Sequence, residues 1–250
     1  MSEPSRIVVL GGDIDTSLSH PPALSLRALL REAVQLTFHR GSAGVLLALL
    51  GVTAIWLLLG QVAGYWLGQT PDPRALTLLG LLLTALLAPL TGGLEMMGLQ
   101  RAVGLPVRAS RVFDYWRFML PLAGLSMLVN VSSALLSLAI EQHGGGQWLS
   151  MLPSVLFAML SLFCVPLMLE RGCNPLTALW LSVRLFVRCW QPLLLLHLLM
   201  LGLLVLALLP MGMGLLILAP FYLILRGLLY REICGVRVQV VGDAGSRWLA

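Results

Sequence analysis

From Ala43 to Gly60 the chain runs without one ionisable side chain, and Ala75 to Pro89 and Gln191 to Pro210 repeat the pattern with His197 as the only exception. Each stretch approaches the roughly 20 apolar residues that an α-helix needs to cross the hydrocarbon core of a bilayer. A soluble domain has nowhere to put them. Of the 250 residues, 58% are hydrophobic and only 11% charged, against about 25% charged in soluble proteins. Backbone groups in lipid must be bonded within the segment itself, so the expected fold is all-α: a polytopic transmembrane helical bundle.

Hydropathy places six spans at 43–68, 75–99, 119–140, 149–169, 191–209 and 211–230, which form three hairpins. The connections alternate in charge. Arg6, Arg27, Arg31 and Arg40 precede the first span, Arg101, Arg108, Arg111 and Arg117 follow the second, and Arg171, Arg184 and Arg188 follow the fourth. Arg226, Arg231, Arg237 and Arg247 lie from the end of the sixth span onward, and the other connections contain only Arg74. A mid-bilayer arginine costs about 2.5–3.5 kcal/mol on the insertion scale, so this segregation expects both termini in the cytoplasm. Aromatic residues support the same frame, with Tyr65, Trp66 and Trp148 read as an outer belt and Tyr115, Trp116, Trp180, Trp190 and Tyr230 as an inner one; Trp56 is the exception.

All sixteen basic residues are arginine, against eleven acidic ones, for a net charge of +5. Lysine-free usage of this kind points to a GC-rich bacterial genome. The positive charge is expected to face anionic lipid and not nucleic acid, for which the chain offers no soluble basic domain. The first forty residues are too long and polar for a cleavable leader, so the first span is expected to stay as an anchor. A cytoplasmic tail at 1–24, a membrane domain at 25–235 and a second cytoplasmic tail at 236–250 follow.

The arginine-bearing connections are not plain loops. Between Ser25 and Arg40, the residues Arg27, Arg31, Gln35 and His39 share one helical face, with Leu26, Leu29, Leu30, Ala33 and Leu36 opposite. That pattern predicts a basic amphipathic helix lying in the interface. A second is expected from Ser110, read as its N-cap, with Arg111, Asp114 and Arg117. A third starts at Asn174 and Pro175 and aligns Thr177, Arg184, Arg188 and Gln191. The chain thus reads as one unit written three times, with returning ends at Arg101 to Gly104, Arg171 to Gly172 and Arg231 to Gly235. Triplication and simple hairpin alternation both account for that pattern. The β-prone runs Arg6 to Leu10 and Val236 to Val241 either pair as a ribbon or remain separate tails. Gly11 and Gly12 start like a nucleotide-binding loop, but without a third glycine or an expected following helix.

Ionisable groups inside spans are the default place to look for function. Glu95, Glu170, His197 and Arg226 all fall in the cytoplasmic half and are the candidate polar cluster, with Asn130 in mid-span and Gln61 further out. In one reading Glu95 and Arg226 pair beside His197 and form a proton-linked or anion pocket. In the other Arg226 snorkels, the glutamates bridge neighbouring arginines, and His197 bonds a carbonyl. Arg27, Arg31, Arg108, Arg111, Arg184 and Arg188 are the candidate lipid-headgroup contacts. No HExxH, CxxC, GxSxG or P-loop signature is present, and His20, His39, His143 and His197 are scattered. No enzyme activity, metal or cofactor is therefore expected. Cys164, Cys173, Cys189 and Cys234 lack disulfide-like or metal-like spacing and are expected as reduced thiols. Prolines and glycines inside the spans (Pro89, Gly92, Gly93, Pro153, Pro166 and Pro220) suit close packing or kinks.

Gly92 to Gly104 (GGLEMMGLQRAVG) with Val112 to Tyr115 (VFDY), and the stretch Pro166 to Pro192, resemble the YciC-like and related bacterial inner-membrane proteins of unknown function. The resemblance spans most of residues 25–235 and rests on a double glycine ending a span, a basic residue and glycine after it, and a short re-entering helix with a phenylalanine. Cys189 and Trp190 stand where such helices often carry short polar residues. It implies location and architecture, and no activity. The expected role is non-enzymatic: association with membrane lipids, anionic on the cytoplasmic side, or with other membrane proteins. The alternative is a small transporter or permease component with a cytoplasm-facing polar site.

Overall fold

The structure is a computed structural model that describes residues 6–20, 22, 24–67, 73–144, 146–209, 211–240 and 246–248. The turn at Pro210 and the side chains of Arg6, Arg40, Arg74 and Arg247 lie outside the described residues. In chain order the elements are β1 (Arg6–Leu10), α1 (Ile14–Ser19), α2 (Leu26–Phe38), α3 (Ala43–Leu67), α4 (Pro73–Ala102), α5 (Met119–Gln142), α6 (Gln147–Ser150), α7 (Leu152–Leu160), α8 (Cys164–Arg171), α9 (Pro175–Arg188), α10 (Trp190–Leu208), α11 (Leu215–Cys234), β2 (Val236–Val240) and β3 (Ser246–Trp248). Tight 3-10 turns at Arg40–Ser42 and Ala109–Phe118 lead into α3 and α5. Among the described residues helix dominates, and the strands lie near the two chain ends.

Among the described residues, five segments are long and apolar enough to cross a bilayer: Ala43–Trp66, Ala75–Ala102, Ala109–Gln142, Trp148–Arg171 and Trp190–Leu208. They coincide with the first five expected spans. The sixth does not share their composition, because Arg226, Arg231 and Glu232 interrupt α11, and α11 is buried almost continuously from Pro220 to Cys234. It packs along α4 with backbones touching. A methyl group at Gly98 would stand 2.3 Å from the Leu223 carbonyl oxygen, and one at Gly227 would stand 2.7 Å from that of Gly98. Small residues at such a crossing replace side-chain volume by backbone contact.

Around this axis lie α3, through Val45, Ala48 and Val52, and α5, through Leu122 and Leu125. Beyond those contacts the surface is apolar. Leu57, Leu58 and Val62 on α3, and Leu195, Leu198 and Leu201 on α10, point outward and are more than half exposed. Water would penalise such a belt, whereas lipid tails match it.

The fourth expected span, 149–169, is not one continuous helix. It is broken into α7 and α8 by a turn at Ser161 to Phe163, held open by side chains described below. Ser110 is not the N-cap of an α-helix either; it sits inside the 3-10 turn Ala109–Phe118, whose cap is Arg108. The reason is register: Val112 and Tyr115 must both bury against α4, and side chains three apart eclipse only at 3-10 spacing. That burial also removes Tyr115 from the expected inner aromatic belt, and Tyr230, fully buried in α11, leaves it too. Both hydroxyls have partners inside the bundle: Gln100 Nε2 donates to Tyr115 Oη at 3.1 Å, and Tyr230 Oη donates to Glu170 Oε2 at 2.6 Å.

Of the two readings for the β-prone runs, pairing is the one found. The sheet has the order β1-β2-β3, antiparallel, with Leu10 opposite Val236, Val8 opposite Val238, and Val238 opposite Trp248. A short helix, α1, does follow Gly11 and Gly12, but the glycines serve packing. Gly12 N–H donates to the Arg231 carbonyl at 3.0 Å, and a methyl at Gly11, whose φ is +93°, would lie 2.0 Å from that oxygen. The residues from β1 to α1 are thereby folded onto the end of α11, where Ser17 Oγ also donates to the Ile233 carbonyl at 2.7 Å.

Candidate functional site

The broken helix is where polar groups enter the bundle. Between α7 and α8 the carbonyls of Leu160 and Leu162 lose their helical partners, which inside an apolar layer costs energy unless other groups replace them. Ser182, fully buried on α9, replaces two bonds: its hydroxyl donates to the Leu160 carbonyl at 2.6 Å and accepts from Phe163 N–H at 3.2 Å. Arg226 supplies the third, with Nη2 donating to the Leu162 carbonyl at 2.8 Å.

Arg226 is in turn held by Glu95. The two groups meet side-on, Nη1 to Oε1 at 2.8 Å and Nη2 to Oε2 at 3.2 Å, the forked geometry that suits guanidinium to carboxylate. Glu95 comes from α4 and Arg226 from α11, each about 10 Å along its helix from the arginine-bearing end. Tyr222, one turn earlier on α11, places its ring 5.8 Å from the guanidinium carbon. Charge, backbone and ring therefore converge on one guanidinium.

This pair forms the floor of a cleft of about 330 Å³ among α4, α5, α7 and α11. Its walls are rich in small polar groups: Ser126, Asn130 and Ser133 on α5 face Ser154 and Ser161 across the gap. Ser126, Asn130 and Ser133 recur at helical spacing and so share one face of α5. Asn130 Nδ2 donates to the Ser126 carbonyl at 2.8 Å, and Ser133 and Ser154 exchange a bond of 3.0 Å between the helices. Below the cleft mouth, Ser137 Oγ donates to the Ser150 carbonyl at 2.7 Å.

The four residues of the candidate cluster do not form one site. Glu95 and Arg226 come together, while His197 turns away from the cleft and bonds the Leu193 carbonyl through Nδ1 at 2.7 Å. Glu170 lies at the helix end, where it accepts from Tyr230 Oη and, at 2.8 Å, from the Arg237 backbone N–H. Shared depth in sequence brought His197 and Glu170 into the group, but depth says nothing of azimuth: both lie on other faces of their helices. Sequence reasoning singles out Asn130 but misses the serines that share its face of α5. Their signal was available, since Ser126, Asn130, Ser133 and Ser137 follow helical periodicity, and Ser150 and Ser154 mirror them on the next segment.

The arginines divide into two groups. Those at the three returning ends point inward. Arg101 Nε donates to Ser42 Oγ at 3.1 Å, and Arg171 donates to the carbonyls of Cys234 and Gly235. Arg231 spans α2, α4 and α11, bonding both Glu32 oxygens at 2.8 and 2.9 Å, Glu232 at 2.8 Å and the Ala102 carbonyl at 2.7 Å. Those on the amphipathic segments point outward: Arg27, Arg31, Arg108, Arg184 and Arg188 are exposed and make no ion pair with any described residue. Arg111 departs from its expected role, since it is partly buried and turns back to Gln100 Oε1 at 3.4 Å. Exposed Phe38, Phe113, Trp116, Trp180 and Trp190 accompany the outward arginines.

No protein-family model matches the chain, and no curated protein or solved structure does so either.

Proposed function

We propose that the chain is a non-enzymatic protein of the bacterial inner membrane that crosses the bilayer six times and associates with membrane lipids. The observation that carries this reading is the outward group of arginines: five cations that pair with no acidic side chain among the described residues, next to exposed aromatic rings, on segments that flank apolar helices. Such surfaces suit the headgroup layer of an anionic leaflet, where each arginine contributes about 1 kcal/mol. The β1–β2 pairing supports the even number of crossings. Strands near opposite chain ends can share a sheet only on one side of the membrane, so α11 completes the sixth passage despite its charges. The positive-inside rule makes that side the cytoplasm.

Replacing Arg27, Arg31, Arg184 and Arg188 together with alanine tests the reading. Co-purification of anionic lipid and binding to anionic vesicles are expected to fall several-fold, with the fold intact; unchanged lipid content counts against it. A second reading, a small transporter or permease component, is favoured by one observation, the polar cleft at a broken helix. Transporters place unwound backbone where it lines a substrate cavity.

A further inference from the structure

Tyr222 lines two cavities at once. On one side is the polar cleft; on the other an apolar groove of about 500 Å³ runs between α7, α10 and α11. Helix α7 separates them, with Ser154 and Ser161 near the cleft side and Val155 and Met159 on the groove side. The groove wall is leucine from both neighbours, notably Leu198, Leu201 and Leu218, and its only ring nitrogens belong to His197, tied at Nδ1 to its own helix. Both volumes fall within the range of about 300–1,000 Å³ usual for ligand sites.

We propose that cleft and groove are one binding site for a zwitterionic phospholipid, with its headgroup in the cleft, one acyl chain in the groove and its glycerol region crossing at Tyr222. This rests on the cleft being a ligand site and is independent of the outward arginines. Two of the groove's three walls belong to the apolar segments Trp148–Arg171 and Trp190–Leu208, where water finds no partners and acyl chains are the ambient solvent. The head is selected by charge. Glu95 and Arg226 sum to zero, so an anionic head would leave an unmatched negative charge in a buried place. A head with both an ammonium and a phosphate instead exchanges one internal ion pair for two: ammonium on Glu95, phosphate on the Arg226 fork. Ser126, Asn130 and Ser133 then face the remaining oxygens.

The test uses the full chain in detergent, titrated with phosphatidylethanolamine or phosphatidylglycerol, with retained lipid counted by native mass spectrometry. The wild-type chain is expected to retain one phosphatidylethanolamine about tenfold or more in preference to phosphatidylglycerol. Leu201→Trp, which narrows the groove from an exposed position, is expected to lower that retention about tenfold; Leu198→Trp reads the same wall if the first variant fails to fold. The Glu95→Gln, Arg226→Gln double variant is expected to lose the preference between the two heads. Equal retention of both lipids by the wild-type chain overturns the proposal, as does wild-type retention by both groove variants. The Arg27, Arg31, Arg184, Arg188 alanine variant is expected to keep its phosphatidylethanolamine; losing it would put that lipid on the outer surface and overturn the cleft assignment.

Discussion

At the scale of single residues, the bundle keeps few polar side chains, and nearly all of those inside it complete another group's bonding. Ser182→Ala removes both bonds that hold the α7–α8 break and is expected to cost about 1–3 kcal/mol, read as a lowered melting temperature. Glu95→Gln leaves the Arg226 guanidinium without its counter-charge. Breaking a buried pair in this way costs about 3–5 kcal/mol, and the lower end is expected because the two side chains remain 20% and 18% exposed. Reversing both charges together should recover much of that loss; a double swap no more stable than either single change would show that the pair does not act as a unit. Glu95 and Arg226 were identifiable from sequence, because charge in an apolar run is conspicuous. Ser182 was visible only as one small polar residue on an amphipathic helix, and nothing local told which carbonyl it serves.

At the scale of elements, the three returning helices end alike. Gly104, Gly172 and Gly235 follow Arg101, Arg171 and Arg231, and all three glycines have positive φ, at 82°, 66° and 68°. Glycine closes a helix there without the strain a side chain would add. Gly172 has open space around its missing Cβ, so Gly172→Ala isolates the backbone term, and a loss of about 1 kcal/mol is expected by thermal unfolding. Gly98→Leu is a different case. It drives a side chain into the backbone of α11, and the expected outcome is failure to accumulate folded protein, scored by size-exclusion chromatography. The shared endings fit triplication and plain hairpin alternation alike, since Gly11, Gly144 and Gly212 have positive φ as well. The interruptions were harder to see: hydropathy averages over a window, so a three-residue break in 149–169 leaves the signal unchanged, and the eclipsed 3-10 burial of Val112 and Tyr115 passes for helical amphipathicity.

For the whole molecule, the sheet joins the first strand to the strand after the last helix. Val9 stands opposite Arg237, and cysteines placed at both positions are expected to cross-link under mild oxidation in intact membranes. No cross-link, together with reporters of opposite sidedness at the two ends, would remove the argument for an even number of crossings. The proposed topology draws on two independent physical arguments, one from the cost of moving guanidinium across lipid and the other from backbone hydrogen bonding between β1 and β2.

Sequence alone determined the class of fold and the places of the apolar helices, because both follow from composition and length within each segment. The tertiary structure decided azimuth and partnership: that α11 is the enclosed axis, that Glu95 meets Arg226 while His197 and Glu170 do not, and that some arginines lock helix ends while others face outward. Those outcomes depend on how helices rotate and cross, and rotation is set by contacts between residues far apart in the chain, which no local pattern encodes.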